Sequence, residues 1–400
     1  MQLTRKQEEG LKIAVDRYKR HEPWTCIAGY AGTGKSTLVR FIIQALNLRP
    51  DEVVYIAYTG KASLVLEEKG CPNAMTAHRL LYKSYPRANG TFYNRPKKYL
   101  PSEYKLIVVD EVSMLPKEMW ELLLSHHKHV IALGDPGQLP PVKSIDNEVL
   151  NHPHIFLDEI MRQAQESEII RLTMGIREGK PLPLHNGDEV VIVDQKDFVD
   201  GMCSWADQII TGKNETRKNI NFIMREKIFG DGSLMPQDGD KVICTQNDWY
   251  NPNAAFEVLV NGSIGYIHNP VLIHEDQIPN VLVCDYLNEN YEDIWQVFTN
   301  TENLQLPIAN NVFWSQRLDY ELLTTGIPFI NKKNWRTIPM EIRPKAFEYG
   351  YAITCHKSQG SEYSKVLVLD EPLYSIDHTK WLYTAATRAK DKLVIVRNYR

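Results

Sequence analysis

No apolar run in the sequence approaches the roughly 18–20 residues that a membrane-spanning helix requires. A membrane partner is therefore not expected. The opening residues, Met1-Gln2-Leu3-Thr4-Arg5-Lys6, carry no apolar segment behind their basic pair, so no signal peptide is expected there. Cysteine is sparse and scattered. The six residues Cys26, Cys71, Cys203, Cys244, Cys284 and Cys355 include no C-x-x-C pair. That spacing argues against a zinc module or a disulfide framework and fits a reducing, cytoplasmic setting. Repeats and low-complexity tracts are absent. Positive charge is not in excess either: 46 Lys and Arg face 50 Asp and Glu, for a formal net charge of -4. Nucleic-acid binders are often basic, so a chain with this balance that grips phosphates must do so through a local basic groove.

What is present is length and rhythm. The 400 residues are too many for one ordinary core and suggest two or three domains. Short apolar runs alternate with helical stretches through the first 160 residues: Trp24–Ala28, Val53–Ala57, Leu106–Val109, Val130–Leu133 and Ile155–Leu157. Several are β-branched and nearly continuous, as parallel strands covered on both faces are. The alternation resumes at Gln208–Thr211, Lys241–Thr245, Ala352–Cys355, Val366–Leu369 and Leu393–Val396. Two α/β sheets in one chain are the expectation. Two stretches break the rhythm. Lys83–Pro101 is rich in Tyr, Pro, Asn and Arg, and Asn89-Gly90 within it is a hairpin signal. Residues 246–345 carry Asn-Gly, Asn-Pro and short alternating runs, which suggests a β-rich insertion into the second α/β domain.

Gly29-Tyr-Ala-Gly32-Thr33-Gly34-Lys35-Ser36-Thr37 fits G-x-x-x-x-G-K-[ST] between an expected strand and an amphipathic helix. Glycines let backbone amides close around phosphate oxygens. Lys35 would reach the β- and γ-phosphates of ATP, Ser36 would ligate Mg²⁺, and the helix N-terminus would add its positive end. Leu106-Ile-Val-Val-Asp110-Glu111 is an apolar strand ending in two acids. The first is placed to hold Mg²⁺ and the second to polarise water. Leu133-Gly134-Asp135-Pro-Gly-Gln138 ends a third strand in polar residues, and ligands bind at the carboxyl ends of such strands. Gln138 is placed to sense the γ-phosphate.

The order of these motifs resembles superfamily 1 helicases, and within them the RecD/Dda-type branch. Leu3-Thr4-x-x-Gln7 resembles the adenine-reading Q motif, with Gln7 as the base contact. Ala57-Tyr58-Thr59-Gly60-Lys61-Ala62 resembles motif Ia, with Tyr58 where Pro is usual. Thr76-Ala77-His78-Arg79 resembles motif Ib. Asp110-Glu111-Val-Ser113-Met resembles motif II, and Gly134-Asp135-Pro-Gly-Gln138-Leu-Pro-Pro motif III. Leu157-Asp-Glu-Ile-Met-Arg162-Gln resembles the segment with a first arginine finger. Tyr351-Ala-Ile-Thr354-Cys-His356-Lys357-Ser358-Gln359-Gly360-Ser-Glu362 resembles motif V. Leu382-Tyr383-Thr384-Ala-Ala-Thr387-Arg388-Ala-Lys390 resembles motif VI, with Arg388 the second finger.

The resemblance implies two RecA-like parallel-sheet domains, at 1–82 with 102–160 and at 161–245 with 346–400. It places a β-hairpin pin at 83–101 and an SH3-like, β-rich insertion at 246–345. Lys35, Asp110, Glu111, Gln138, Arg162 and Arg388 would be catalytic, with Ser36 and Asp110 on Mg²⁺. Gln7, Gly29, Gly32, Thr33, Gly34, Lys35, Ser36, Thr37, Gly360 and Glu362 would hold ATP. DNA would meet Thr59, Lys61, His78, Thr354, His356, Lys357, Ser358 and Gln359, whose donors suit phosphate and sugar oxygens without reading sequence. Phe92 and Tyr93, near the hairpin tip, are candidates to split the duplex by stacking. The plainer alternative for them is cross-strand packing, and for Thr59 and His78 it is local backbone bonding.

The implied activity is ATP-driven 5′→3′ movement on single-stranded or forked DNA with duplex unwinding. The implied setting is a monomer in a bacterial or phage-infected cell, alone or with replication or recombination proteins. Two other classes stay open. One is a P-loop ATPase that binds nucleic acid or remodels protein without unwinding. The other is a binding module without catalysis, against which the intact Lys35, Asp110, Glu111, Gln138 and Arg388 speak.

Overall fold

The computed structural model describes residues 3–86, 92–140, 148–161, 166–230, 236–245, 261–275, 278–288, 347–373 and 377–399. Its first sheet contains β1 (Trp24–Gly29), β2 (Val53–Ala57), β3 (Met75–Thr76), β6 (Leu106–Val109), β7 (His129–Gly134) and β8 (Ile155–Leu157). The order is β3-β2-β6-β7-β1-β8, and every pairing is parallel. Strand side chains alternate between two faces, and here both faces are buried. Cys26, Ala28, Val54, Ile56, Ile107, Val109, Val130 and Ala132 pack on one side with Leu80, Leu81 and Met119. Ile27, Val53, Tyr55, Leu106, Val108, Ile131 and Leu133 pack on the other with Ala14, Leu38 and Ile42. The near-continuous apolar runs follow from this double cover.

β4 (Tyr82–Pro86) and β5 (Phe92–Pro96) form the expected two-stranded hairpin. Its Asn89-Gly90 turn and the Phe92 side chain lie outside the described residues. The hairpin is shorter than 83–101. Lys97 already donates its N–H to Leu81 O at 2.8 Å, and Leu100 packs into the core of the first sheet.

The second parallel array runs β11 (Gln208–Thr211), β17 (Tyr363–Leu369), β18 (Ala389–Arg397), β10 (Val190–Asp194), with β9 (His185–Asn186) antiparallel at its edge. Lys241–Thr245 does not join it, contrary to expectation. Its β12 (Lys241–Cys244) pairs antiparallel with β13 (Ile264–Glu275) and β15 (Phe347–Tyr349), and β14 (Ile278–Asn288) completes a four-stranded antiparallel sheet. The inserted sheet thus takes in residues on both sides of the expected 246–345 boundary. The reason is local ambiguity: a strand buried on both faces shows the same apolar run whichever way its neighbours point. Most of 246–345, with Trp249 and Trp335, lies outside the described residues.

Residues 1–83, 94–212 and 355–400 form one compact unit, and 84–93 with 213–354 another. Residues 213–245 therefore group with the inserted sheet. In that second unit the helix Asn214–Phe229 carries a buried polar stripe at i, i+4 spacing, Arg217, Asn221 and Arg225. Asn221 Nδ2 donates to Tyr349 O and Ala352 O at 3.2 and 3.0 Å and its Oδ1 accepts the Ala352 N–H at 2.8 Å. This holds β16 (Ala352–Thr354) against the helix. Arg217 pairs with Glu348 at 2.9 Å. Arg225 Nε donates to both oxygens of Asp240 at 2.9 and 3.0 Å. Burial pushes the Asp240 carboxyl up, against the pull of Arg225. Removing one partner of such a pair strands the other charge. Arg225→Ala is expected to cost about 3–5 kcal/mol, read as a lower urea midpoint. An unchanged midpoint would mean that Asp240 is satisfied without Arg225. Among the described residues no helix is long and apolar enough to cross a membrane.

Candidate nucleotide and nucleic-acid site

β1 ends at Gly29 and the chain turns into the helix Lys35–Ala45. The turn needs glycine where it has it. Gly32 and Gly34 sit at φ 76° and 78°, a region that costs other residues energy. A Cβ on Gly29 would stand 2.8 Å from Leu157 O. The helix has neither a side-chain cap nor an acid in its first turn. Its free amides and positive end are left to an external anion. They open on a cavity of about 360 Å³, all of it within the first compact unit.

Gly32, Gly34, Lys35, Ser36, Thr37, Asp110, Glu111, Gln138, Gly360, Glu362 and Arg388 line this cavity. Gln7 is a correction. It is 1% exposed, accepts the Thr4 N–H at 3.0 Å and donates to Thr33 O at 3.2 Å. Its amide braces the P-loop from behind, because the capping box that starts the helix Arg5–Lys19 consumes its oxygen. Thr33 is likewise buried, its hydroxyl donating to Tyr30 O at 2.8 Å.

Lys35 Nζ donates to Gly29 O at 2.7 Å and Tyr30 O at 3.0 Å. Burial lowers its pKa, while Asp135, Asp110 and Glu111 act to raise it. Asp110 directly follows β6, and Glu111 takes a left-handed backbone at φ 48°. Burial raises the Asp110 carboxyl above its ordinary value, with Lys35 opposing. It pushes Glu111 up to about 7, with Arg388 opposing. Glu111 Oε2 is buried without a hydrogen-bond partner. An orphaned acceptor of this kind calls for a water or a donor from a bound group. Among the described residues no cluster of three His, Cys, Asp or Glu side chains could hold a metal alone. A hydroxyl and one carboxylate, Ser36 and Asp110, suit Mg²⁺, which takes most of its ligands from phosphates and water.

Arg388 lies just past the C-terminal end of the helix His378–Ala386 and is 5% exposed. Its Nε, Nη1 and Nη2 donate to Thr384 O, Ser361 O and Thr387 Oγ1 at 3.0, 3.2 and 3.0 Å. Nη1 then lies 4.0 Å from Glu111 Oε1. Gly360, at φ 75°, brings the motif V loop against Glu111: a Cβ there would be 3.5 Å from Glu111 Oε2 and 3.0 Å from Ala62 Cβ. Two features were not legible as site residues. Tyr383, 1% exposed, bonds both Ala31 and Asp135. Arg177 stacks its guanidinium 3.6 Å from the centroid of the cavity-lining Tyr30 ring. A buried phenol inside motif VI was a usable signal for the first; nothing local marks the second. Arg162 lies outside the described residues, though its neighbour Met161 donates its N–H to Gly32 O at 3.1 Å.

The expected DNA contacts divide. Lys61 is half-buried, with Nζ 4.9 Å from the Tyr363 ring centroid. His78 lies between Tyr58 and Tyr82, its pKa lowered by burial. His356 and Lys357 are half-buried on the four-residue helix Cys355–Ser358, and burial also lowers the pKa of His356. Thr354 falls in the other compact unit. Thr59 caps the helix Gly60–Glu68, its Oγ1 accepting the Ala62 N–H at 3.2 Å. Ser358 and Gln359 are corrections: both are buried, Ser358 donating to Cys355 O at 2.7 Å and Gln359 to Leu139 O at 2.8 Å. On so short a helix successive side chains point in different directions, and only some can face solvent. Tyr93, half-buried, stacks on Tyr85 at 5.5 Å across the hairpin. That is the cross-strand packing open to an aromatic on paired strands.

A family model described as an AAA domain matches residues 2–201, and one described as a UvrD-like helicase C-terminal domain matches 349–396. The ATP-dependent RecD2 DNA helicase of Deinococcus radiodurans is 26% identical over 92% of this chain and 46% of its own length. The ATP-dependent DNA helicase dda of Enterobacteria phage T4 is 26% identical over 57% of each. The chain therefore spans about half the length of these relatives. Among solved structures, the Pif1 helicase from Candida albicans shares the fold at TM-score 0.51 and 17% identity, with 99% of this chain and 94% of that one covered.

Proposed function

We propose that this chain, which belongs to the AAA-domain family matched over residues 2–201, is a superfamily 1 helicase of the RecD and Dda type that hydrolyses ATP to move 5′→3′ along single-stranded DNA and open duplex. One observation carries this reading: Lys35, Glu111 and Arg388, from three separate segments, converge on a single cavity at a P-loop. A bound Mg²⁺ on Ser36 and Asp110 would neutralise phosphate charge. Lys35 leaves two backbone carbonyls to fix the phosphate chain. Glu111 takes a proton from the attacking water at its free oxygen, and Arg388 meets charge that develops on the transferring phosphoryl group. The relatives' names as DNA helicases support DNA as the track. Forked DNA as substrate, action as a monomer, and work beside replication or recombination proteins belong to the same proposal. The test is ATP hydrolysis with and without single-stranded DNA, followed by unwinding of duplexes bearing a 5′ or a 3′ tail. Hydrolysis indifferent to DNA, or unwinding from 3′ tails only, overturns it.

DNA would be gripped through phosphates by Lys61, His78, His356 and Lys357, so binding should tolerate any sequence and weaken steeply with salt. Lys357→Ala is expected to flatten the slope of log affinity against log salt by about one unit. A slope identical to the parent's would remove Lys357 from the contact set.

A further inference from the structure

Tyr383 is a buried phenol in the helix His378–Ala386, standing behind the cavity wall formed by Ala31 and Asp135. Its hydroxyl accepts the Ala31 N–H of the P-loop at 3.1 Å and donates to Asp135 Oδ2 at 2.7 Å. The single phenol hydrogen is thereby committed, and the oxygen's accepting side is filled. The other Asp135 oxygen accepts the Gly137 N–H at 2.8 Å. The packing is close as well as bonded, for a Cβ on Gly137 would stand 3.0 Å from Tyr383 Cε1.

The connection continues on the far side. Thr384, next on the helix, accepts the Leu139 N–H at 2.8 Å, and Leu139 O accepts from Gln359 Nε2 at 2.8 Å. Gln359 directly follows the short helix Cys355–Ser358, on which His356 and Lys357 are the residues not fully buried. Hydrogen bonds linked through the adjacent Tyr383 and Thr384 thus join the His356–Lys357 segment to the 135–139 loop and to one P-loop amide. All of it lies within the first compact unit. Its members sit up to 352 positions apart in sequence.

We infer that Tyr383 is a positioning residue for ATP turnover, coupling DNA on the His356–Lys357 segment to the set of the P-loop and Asp135. The inference rests on the proposed reading that single-stranded DNA stimulates hydrolysis. DNA that shifts the short helix moves Gln359, Leu139 and Thr384 together, and Tyr383 carries the shift to Ala31 and Asp135. Coupling of this kind is reciprocal. For the binding part of the coupling, nucleotide should therefore change the affinity for single-stranded DNA through the same bonds.

Tyr383→Phe removes the hydroxyl and keeps the ring. Affinity for a single-stranded oligonucleotide without nucleotide should match the parent, and turnover without DNA should fall by a smaller factor than stimulated turnover. DNA-stimulated kcat should fall by about tenfold, the worth of a hydrogen bond to a charged group. The nucleotide-dependent change in oligonucleotide affinity should shrink alike. Thr384→Val breaks a different link and should give the same pattern, with the double variant no worse than either single one. The inference is overturned if Tyr383→Phe is stimulated as strongly as the parent. It is equally overturned if basal and stimulated turnover fall by one common factor in both variants, the mark of a purely structural role. A parent that hydrolyses ATP without any response to DNA would instead bring down the proposed function on which the inference stands.

Discussion

Arg388→Ala is expected to lower DNA-stimulated ATP turnover by about 10³-fold or more while ATP still binds, as loss of an arginine finger does in other phosphoryl-transfer enzymes. The guanidinium is held by three hydrogen bonds, two within its own segment, to Thr384 O and Thr387 Oγ1, and one across to Ser361 O. Those bonds fix its plane and aim Nη1 at the cavity, 4.0 Å from Glu111 Oε1. In the ground state that long contact contributes little. Its value comes when charge builds on the phosphoryl oxygens, so it should appear in kcat and not in binding. Arg388→Lys should fare almost as badly, because an ammonium cannot reproduce a planar fork satisfied on three sides. Turnover at saturating ATP and DNA, set beside nucleotide affinity, measures both. Near-parental stimulated turnover in Arg388→Ala would remove the argument that the segment carrying it completes the site.

Glu111→Gln should keep nucleotide affinity and reduce kcat by roughly 10²–10⁴-fold, the range general-base catalysis supplies. The substitution preserves shape and removes only the ability to accept a proton. Three features single out Glu111. Its backbone is left-handed at φ 48°, an uncommon conformation for a non-glycine residue. Its Oε2 is buried and unpartnered. Burial lifts its carboxyl to about 7 even though Arg388 pulls the other way, which suits a base working near neutrality. Asp110→Asn, by contrast, should act mainly through weaker binding of nucleotide with Mg²⁺, since Asp110 would ligate the ion and Glu111 the water. Parental hydrolysis by Glu111→Gln with DNA present would transfer water activation to another group, and Gln138 on the same cavity would be the next to examine.

The phosphate cradle was legible because its chemistry is local. Gly32 and Gly34 at positive φ, Lys35 and Ser36 at the helix start, and Asp110 at a strand end all lie within a few residues of the feature that demands them. The parallel order of the first sheet was foreshadowed by runs apolar on both faces. The same criterion misplaced Lys241–Cys244, which is equally buried but antiparallel. Burial sets an apolar run, and pairing direction leaves no trace in it.

What the sequence determined by itself, then, is the backbone chemistry of a nucleotide site and the alternation of strands and helices that builds two α/β sheets. The tertiary structure decided which polar side chains face the cavity and which serve the frame. Gln7 and Gln359 read as ligand contacts, yet each spends its amide on a distant backbone group, at Thr33 and Leu139. Tyr383 carries no role of its own in the sequence reading, yet it bridges Ala31 and Asp135. A buried hydrogen-bonding group must find a partner. Whether that partner is a ligand or another part of the chain depends on which segments fold against it, and in Tyr383 and Gln359 those segments are more than 200 residues away.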